Sequence, residues 1–524
     1  LPHTAVQVSM PSRGNNRRPS NFEKRRGGTA NHEEDPVSWV RKVSVLGACF
    51  VTCAFAGTLA PKPCIMHVGA HPDDERRAAP VIYKEVVDRK RAENVLVCLT
   101  KGEAWCGMSY TSLTGFSCGQ HREQELRCTA DNLQTSQLRF LGVLDVRPDR
   151  ALIHERLVRI IREVRPDIVM THGTLGEYGA YIHKLLSSIT DQAFVDAADS
   201  KKRPEQLTGG VTSWEASKLY HVVDGVDTER VTFEIPLTER NTAGTATYAE
   251  LGMQACRTCH RSQSFSAEGR PIPCRLSLKQ SNVSTVGPET DILADVQPQR
   301  SRPTYLTTWL VCGSFTASDG DLSTDYLVAS GGEKAVTPQE GMQSGGKTWQ
   351  RVTVGTGYID FRNTFTDANV NAVAYAATSV SAAEAGNAVL RVCCRGSYLL
   401  FLNGQQVHES TVDRTYDFED RIPVELRAGS NRVLVKAAIG PAQDDPDEGP
   451  IAKPWGFFAG VEQSGNTTAV SMRKAETRPM RRGDRASDMN YDLRGRLLAS
   501  GKKPRGVYLH LREARVLCRT LLYR

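Results

Sequence analysis

Basic charge is lacking where nucleic-acid binding would need it. The 524-residue chain has a formal charge of +7, but residues 471–524 hold 15 Lys/Arg against 5 Asp/Glu and residues 1–42 hold 8 against 4, which leaves 43–470 at −7. The basic character lives in the tails, so the body gives no reason to expect a nucleic-acid partner. The segment 1–42 reads as a disordered extension, and 463–524 as a solvated basic tail. A second Cys-x-x-Cys is also missing. Cys256-Arg257-Thr258-Cys259 stands alone, too little for a structural zinc site. With His260 it matches the c-type haem attachment pattern, but no haem-domain pattern surrounds it, so an electron carrier rests on those five residues only. What is present is ordinary for a globular protein, with 40% hydrophobic and 24% charged residues. The length suits two or three domains.

One apolar run stands out. Arg41-Lys42 precede the 18-residue stretch 43–60, which ends in small residues. A positive flank, an apolar core and small residues make a secretory signal peptide. An uncleaved anchor is the alternative, since the run is at the lower limit for spanning. A buried core helix is the third reading. The expected location is secreted or cell envelope, with membrane contact through 43–60.

Chemistry concentrates at Ala70-His71-Pro72-Asp73-Asp74-Glu75, just after the apolar run Ile65-Met66-His67-Val68-Gly69. The strand thus ends by presenting an imidazole and two carboxylates. In open α/β sheets ligands gather at the C-terminal ends of strands. His71 and Asp74, at i and i+3 on a tight turn, can point at one ion, and Asp73 can face the same cavity without being a ligand. An N,O donor set with an open position suits zinc. A polar turn without function is the plain alternative. A second strand, Asp167 to His172, runs into the glycine-rich loop 173–179, after which His183 opens a helix. Two such strand ends converge on one edge of a parallel sheet. From 63 to 265 strands are expected at 64–69, 94–100, 138–141, 167–172 and 218–223, and helices near 76–91, 119–136, 151–164 and 183–198. This alternation argues for a Rossmann-like parallel sheet with helices on both faces.

The motifs Ala70 to Glu75, Thr100-Lys101-Gly102-Glu103, Arg122-Glu123-Gln124-Glu125-Leu126 and Tyr178-Gly179-Ala180-Tyr181-Ile182-His183 come in the order and spacing of a known family. Over roughly 63–265 the chain resembles the LmbE-like (PIG-L) zinc-dependent N-acetylglucosaminyl deacetylases. The resemblance implies that His71, Asp74 and His183 are ligands of Zn2+. It implies that Asp73 is the general base for the attacking water, and that Glu103 and Arg122 face an N-acetylated sugar or glycan. The last motif departs from the family. Ala180 stands where a histidine helps stabilise the oxyanion or protonate the leaving amine, and Ile182 where an aspartate supports the ligand histidine. One lost oxyanion donor costs about 10²–10³ in rate, and one lost supporting group about 10–100. His172, Tyr178 and His260 are candidates for a borrowed donor. Two hypotheses follow: a zinc-dependent N-deacetylase of a sugar or glycan, or a non-catalytic zinc-containing carbohydrate-binding protein.

Residues 266–303 read as a linker, and from about 304 short β segments follow. Ala388 to Cys394 and Tyr398 to Gly404 read as a pair closed at Arg395-Gly396-Ser397. The turn Leu402-Asn403-Gly404, the stretch Leu426 to Lys436 and Trp455-Gly456-Phe457 resemble galactose-binding-like jelly rolls, so 304–462 is expected to be an all-β sandwich. It serves either glycan binding or packing. Cys106 and Cys118 flank a loop after Glu103 and are placed to staple a lid, although pairing cannot be read from sequence.

Overall fold

The computed structural model describes residues 52–53 and 61–463, apart from 108–112, 114, 146–147, 226, 264–270, 285–288, 299–301, 367–369, 413, 415, 446–448 and 452. The segment 1–42, nearly all of the run 43–60 and the basic tail from 464 onward lie outside the described residues. Thr52–Cys53 pairs in parallel with Ser379 and Val380. Among the described residues no helix is long and apolar enough to cross a membrane.

The first sheet has strands β1 (Cys64–Gly69), β2 (Glu93–Cys98), β3 (Gln137–Phe140), β4 (Ile168–His172), β5 (Lys218–Val222), β6 (Phe233–Ile235) and β7 (Cys274–Ser281), in the order β3-β2-β1-β4-β5-β7-β6. β3 to β5 are parallel, and β7 runs antiparallel to both its neighbours. Every residue of β1 is buried, as a central parallel strand requires. Its side chains alternate between two cores. Ile65 packs with α1 (Ala79–Ile82), α2 (Gly115–Asn132) and α5 (Tyr248–Arg257), whereas Cys64, Met66 and Val68 pack with α3 (Arg150–Val164) and α4 (Tyr181–Ala198). Helices therefore cover both faces, as the alternation of sequence patterns implies. Local signals set their ends. Asp149 caps α3 by accepting from the amides of Ala151 and Leu152, and Thr247 with Glu250 forms a capping box on α5. The chain builds outward from β1 to β2 and β3, then returns to lay β4 on the other side. The crevice between the ends of β1 and β4 is the switch point where such folds bind ligands.

Two expectations about this region are corrected. The helix expected near 76–91 is broken into a 3₁₀ turn (Asp74–Arg77), the short α1 and a π turn (Tyr83–Asp88). Pro80 lacks the N–H that would carry one helix through this point and instead begins a new one. The expected linker 266–303 contains β7, hydrogen-bonded between β5 and β6. The alternation of buried Cys274 and Leu276 with part-exposed Arg275 marks it as a strand, hidden by its polar composition.

Described residues beyond 304 form two large antiparallel sheets, besides two short two-stranded ones. One has the order Gln350–Thr353, Thr308–Thr316, Ala372–Ala382, Gly429–Ile439, Ser397–Leu402 and Gln405–Ser410; the other has Ile359–Asp360, Gly456–Gln463, Gly386–Arg395 and Asp420–Leu426. Trp309, Ala376, Leu400 and Val435 of the first share one core with Leu390, Val424, Phe457 and Val461 of the second, a sandwich arrangement. The expected pairing of 388–394 with 398–404 does not form. Gly386–Arg395 lies in one sheet and Ser397–Leu402 in the other. The chain changes sheets at Gly396, whose φ is 105° and where a Cβ would sit 2.4 Å from the Ala438 carbonyl oxygen. The residues that suggested sugar binding are engaged internally. The Asn403 amide bonds to Asn431, which clamps the backbone of Arg427, and Trp455 is fully buried against Phe361.

The two parts share a buried ionic seam. Arg139 of β3 pairs with Glu419 and Glu163, and Arg395 bridges Asp417 to Glu123 of α2. The Phe140 amide donates to the Asp417 carboxylate and its carbonyl accepts from the Asp417 amide, both at 2.9 Å, which covers the edge strand β3. Glu123 also holds Lys101, two residues before Glu103.

Candidate metal centre

Three expected donors meet in the crevice between β1 and β4. His71 Nδ1 lies 3.0 Å from His183 Nε2, 3.9 Å from Asp74 Oδ2, and His183 Nε2 lies 3.7 Å from Asp74 Oδ1. The turn after β1 delivers the first two, and the start of α4 delivers the third. The loop before α4 packs tightly on the helix. At Gly176, where φ is 68°, a Cβ would sit 2.8 Å from the Lys184 amide nitrogen, so only glycine fits there. Each donor is oriented from behind. Asp74 Oδ2 accepts from the amides of Ala70 (2.7 Å) and His71 (2.8 Å) and bonds His172 Nε2 (3.1 Å), which leaves Oδ1 toward His183. His71 Nε2 bonds Asp145 Oδ1 at 2.9 Å. His183 Nδ1 donates to the Glu177 carbonyl at 3.1 Å, and Arg76 and Arg77 fix the Glu177 carboxylate. A ligand histidine whose other nitrogen is tied to a carboxylate or carbonyl is the usual arrangement at metal sites.

Protonation tendencies fit a cation site. Burial works against a charged Asp74, yet His183, His172 and His71 hold its carboxyl well below the usual range. Burial lowers His183, helped by His172 and His71, so its ring favours the neutral form a ligand needs. His71 is raised: burial opposes its charge, but the Asp145 and Asp74 carboxylates outweigh it.

Asp73 stands beside the triad with part-exposed side chain and backbone φ of 128°. That strained conformation is held on two sides. The Asp73 amide donates to Glu75 Oε2 at 3.0 Å, and Arg122 Nη2 donates to Asp73 Oδ1 at 2.9 Å and to the Pro72 carbonyl at 2.7 Å. Burial pushes Asp73 up to about 6, opposed by Arg122 and reinforced by Asp74. Arg122 also donates to the carbonyls of Gly102 and Trp105; it is buried and turned to these groups. Glu103 is part-exposed, accepts weakly from the Lys101 amide at 3.3 Å, and is raised by burial. The three candidate borrowed donors have separate places. His172 is buried and stacked on His183 at 4.4 Å. The Tyr178 hydroxyl lies on Arg76. His260 is buried, with Nε2 2.6 Å from Glu75, and is raised to about 9, because Glu75 and Glu125 outweigh its burial.

Asp145 and the Glu177 carbonyl were not picked out from the sequence. A backbone carbonyl has no sequence signal. Asp145 had one: it is an acid in the loop after β3, at the same edge as the other groups. Asp145→Asn is expected to weaken metal affinity about 10–100-fold, measured by competition with a chromophoric chelator. The cysteine expectations are corrected as well. Cys106 and Cys118 are not joined: Cys106 Sγ points to the Cys118 carbonyl at 3.8 Å. Among the described residues the disulfide is Cys128–Cys259, tying α2 to the segment after α5. With Cys259 so bonded, Cys256 buried and His260 on Glu75, the 256–260 segment cannot attach haem.

Two imidazoles and a carboxylate beside a part-exposed carboxylate make a donor set of the class that binds a metal ion for hydrolysis. Residues 66–194, which contain all these groups, match the family model described as PIG-L, GlcNAc-PI de-N-acetylase. Over 185 residues the chain is 31% identical to 1D-myo-inositol 2-acetamido-2-deoxy-alpha-D-glucopyranoside deacetylase 1 of Frankia casuarinae, covering 30% of this chain and 59% of that one. Over 189 residues it is 28% identical to the deacetylase of the same description from Kineococcus radiotolerans, covering 30% and 51%. The chain therefore spans between half and three fifths of the length of these relatives. Among solved structures it is similar to an N,N'-diacetylchitobiose deacetylase from Pyrococcus horikoshii, with 18% identity, a TM-score of 0.34, and coverage of 41% of this chain and 83% of that one.

Proposed function

We propose that this chain is a zinc-dependent N-deacetylase that hydrolyses the acetamido group of an N-acetylated sugar. The observation that carries the reading is the convergence of His71, Asp74 and His183 at the switch point, with Asp73 beside them. When bound there, zinc supplies a Lewis acid that polarises the amide carbonyl and makes water more acidic. The residues of the chain do the rest. Asp73 takes a proton from the attacking water, within the alignment that Arg122 and Glu75 impose. Arg122 acts through Asp73 and the Gly102 loop as a positioning residue. Glu103, raised by burial, is placed to hydrogen-bond the sugar.

The departures at 180 and 182 have unequal weight. Ala180 leaves an oxyanion donor missing from this motif, so turnover is expected to be slow, and Ala180→His to raise kcat by about 10–10³. Ile182 needs no such repair. The Glu177 carbonyl already orients His183, and Ile182 is buried among Leu186 and Ile189. Ile182→Asp would lose about 1.5–3 kcal/mol of side-chain burial and place an unpaired carboxylate there. It is expected to destabilise the fold by about 3 kcal/mol or more, read as a lower urea midpoint, and not to improve turnover.

The reading includes export. The pattern of 43–60 and the Cys128–Cys259 disulfide, a bond that persists in oxidising compartments, support it. N-terminal sequencing of exported protein is expected to begin near residues 57–61; retention of 1–42 would reject cleavage. The function is tested by metal analysis together with acetate release from a panel of N-acetyl sugars. About one zinc per chain and metal-dependent acetate are expected. Zinc without acetate from any N-acetyl sugar would favour the carbohydrate-binding alternative, and no zinc would reject both.

A further inference from the structure

Exposed apolar side chains are distributed unevenly over this protein. Among the described residues the large hydrophobic side chains that are exposed include three aromatics: Trp105 (54%), Tyr178 (59%) and Tyr181 (72%). All three lie at the edge of the sheet that carries the triad. Trp105 follows β2, two residues after Glu103. Tyr178 is in the loop after β4, and Tyr181 opens α4 two residues before His183. Exposed Leu144, next to Asp145 in the loop after β3, and Leu175, after β4, belong to the same edge. The other exposed large hydrophobics, such as Val195, Val328 and Val412, are aliphatic and sit elsewhere in the chain. Three parallel strands thus end in loops that each lift an apolar side chain into water beside the same crevice. Exposed apolar side chains gathered at one edge, rather than scattered singly, mark a place where a ligand or partner binds.

The chemistry of the rim selects the occupant. A flat aromatic face with a wet edge packs against the C–H face of a pyranose ring while the sugar hydroxyls stay hydrated. The charged groups beneath this rim are largely engaged with one another, Arg122 with Asp73, Asp145 with His71, and Arg76 and Arg77 with Glu177, which leaves the aromatic faces as the surface offered to a ligand.

We infer that the rim built by Trp105 and Tyr181 is a subsite for sugar rings next to the acetamido sugar, so that the substrate is an N-acetylated oligosaccharide rather than a monosaccharide. This inference rests on the deacetylase reading for the position of the acetamido sugar, but its test does not depend on turnover. Tyr178 is set apart from the test, because its ring is flanked by Arg76 and Arg77 and its hydroxyl is bonded. Trp105 and Tyr181 contribute no side chain to the triad or to Asp73.

The experiment is calorimetric titration of metal-loaded full-length protein with N-acetylglucosamine and with its β-1,4-linked dimer, trimer and tetramer. It is run in an Asp73→Asn background, which keeps all three metal donors. Affinity is expected to rise with chain length. Trp105→Ala with Tyr181→Ala is expected to weaken the tetramer about 10- to 100-fold while leaving the monosaccharide within twofold. Both positions are exposed, and an unchanged thermal midpoint checks the fold. Three results would overturn the subsite: no dependence on length, equal loss for monomer and tetramer, or unchanged tetramer binding in the double variant. A companion assay on protein with Asp73 intact separates the two readings. Length-dependent binding without acetate release would reject the deacetylase and keep the subsite, and acetate release without length dependence would do the reverse.

Discussion

Purified protein with His71→Ala or Asp74→Ala is expected to lose its metal and with it all metal-dependent acetate release. The size of the effect follows from the donor count. A four-ligand zinc site is worth about 10–16 kcal/mol, hence about 2.5–4 kcal/mol per ligand, so removal of one protein donor weakens binding by about 10²–10³. Asp74 is the more sensitive of the two. Its Oδ2 anchors the amides of Ala70 and His71 and bonds His172, so its loss also loosens the turn that aims His71. Metal content after gel filtration against a weak chelator reads the first effect, and acetate release the second. Stoichiometric zinc that persists in the double variant would place the metal elsewhere in the chain.

How much of this centre could be read in advance depended on where each contribution resides. β1 was legible because a buried central strand is a continuous apolar run, and the His-x-x-Asp turn after it is contiguous in sequence. His183 is legible through the family pattern, although its neighbour Ile182 stands where that pattern has a supporting aspartate. The structure supplies that support from the Glu177 carbonyl, a main-chain group that no side-chain pattern reveals. Asp145 and His260 depend on contacts over 74 and 185 residues. Spacing along the chain does not encode which acid meets which imidazole, and the same limit hid the Cys128–Cys259 bond, 131 residues apart. In the β part, the segments were found but not their partners. Arg395-Gly396-Ser397 has the composition of a hairpin turn, and the choice to cross between sheets instead is made by the close approach of Gly396 to Ala438.

Replacing Asp73 by Asn should cost about 10²–10⁴ in kcat while the metal and the fold remain, because a general base contributes that much and Asp73 is not among the three donors. The substitution is well matched to the site. Asn keeps the oxygen that accepts from Arg122 Nη2 and the amide that donates to Glu75, and Asn, like Asp, tolerates positive φ better than most residues. What it removes is proton acceptance. The pH profile gives a second readout. Burial pushes the Asp73 carboxyl up to about 6. A base acts only when deprotonated, so activity should be full above this pKa and fall as pH drops through it. A bound dication favours the carboxylate, so the acid limb of kcat/KM is expected at or below about pH 6. Asp73→Asn should leave residual activity without that limb. A limb that survives unchanged in the Asn variant would assign the titration to another group, with His71 and Glu103 the nearest raised candidates. An Asn variant as fast as the parent would show that water is activated without Asp73.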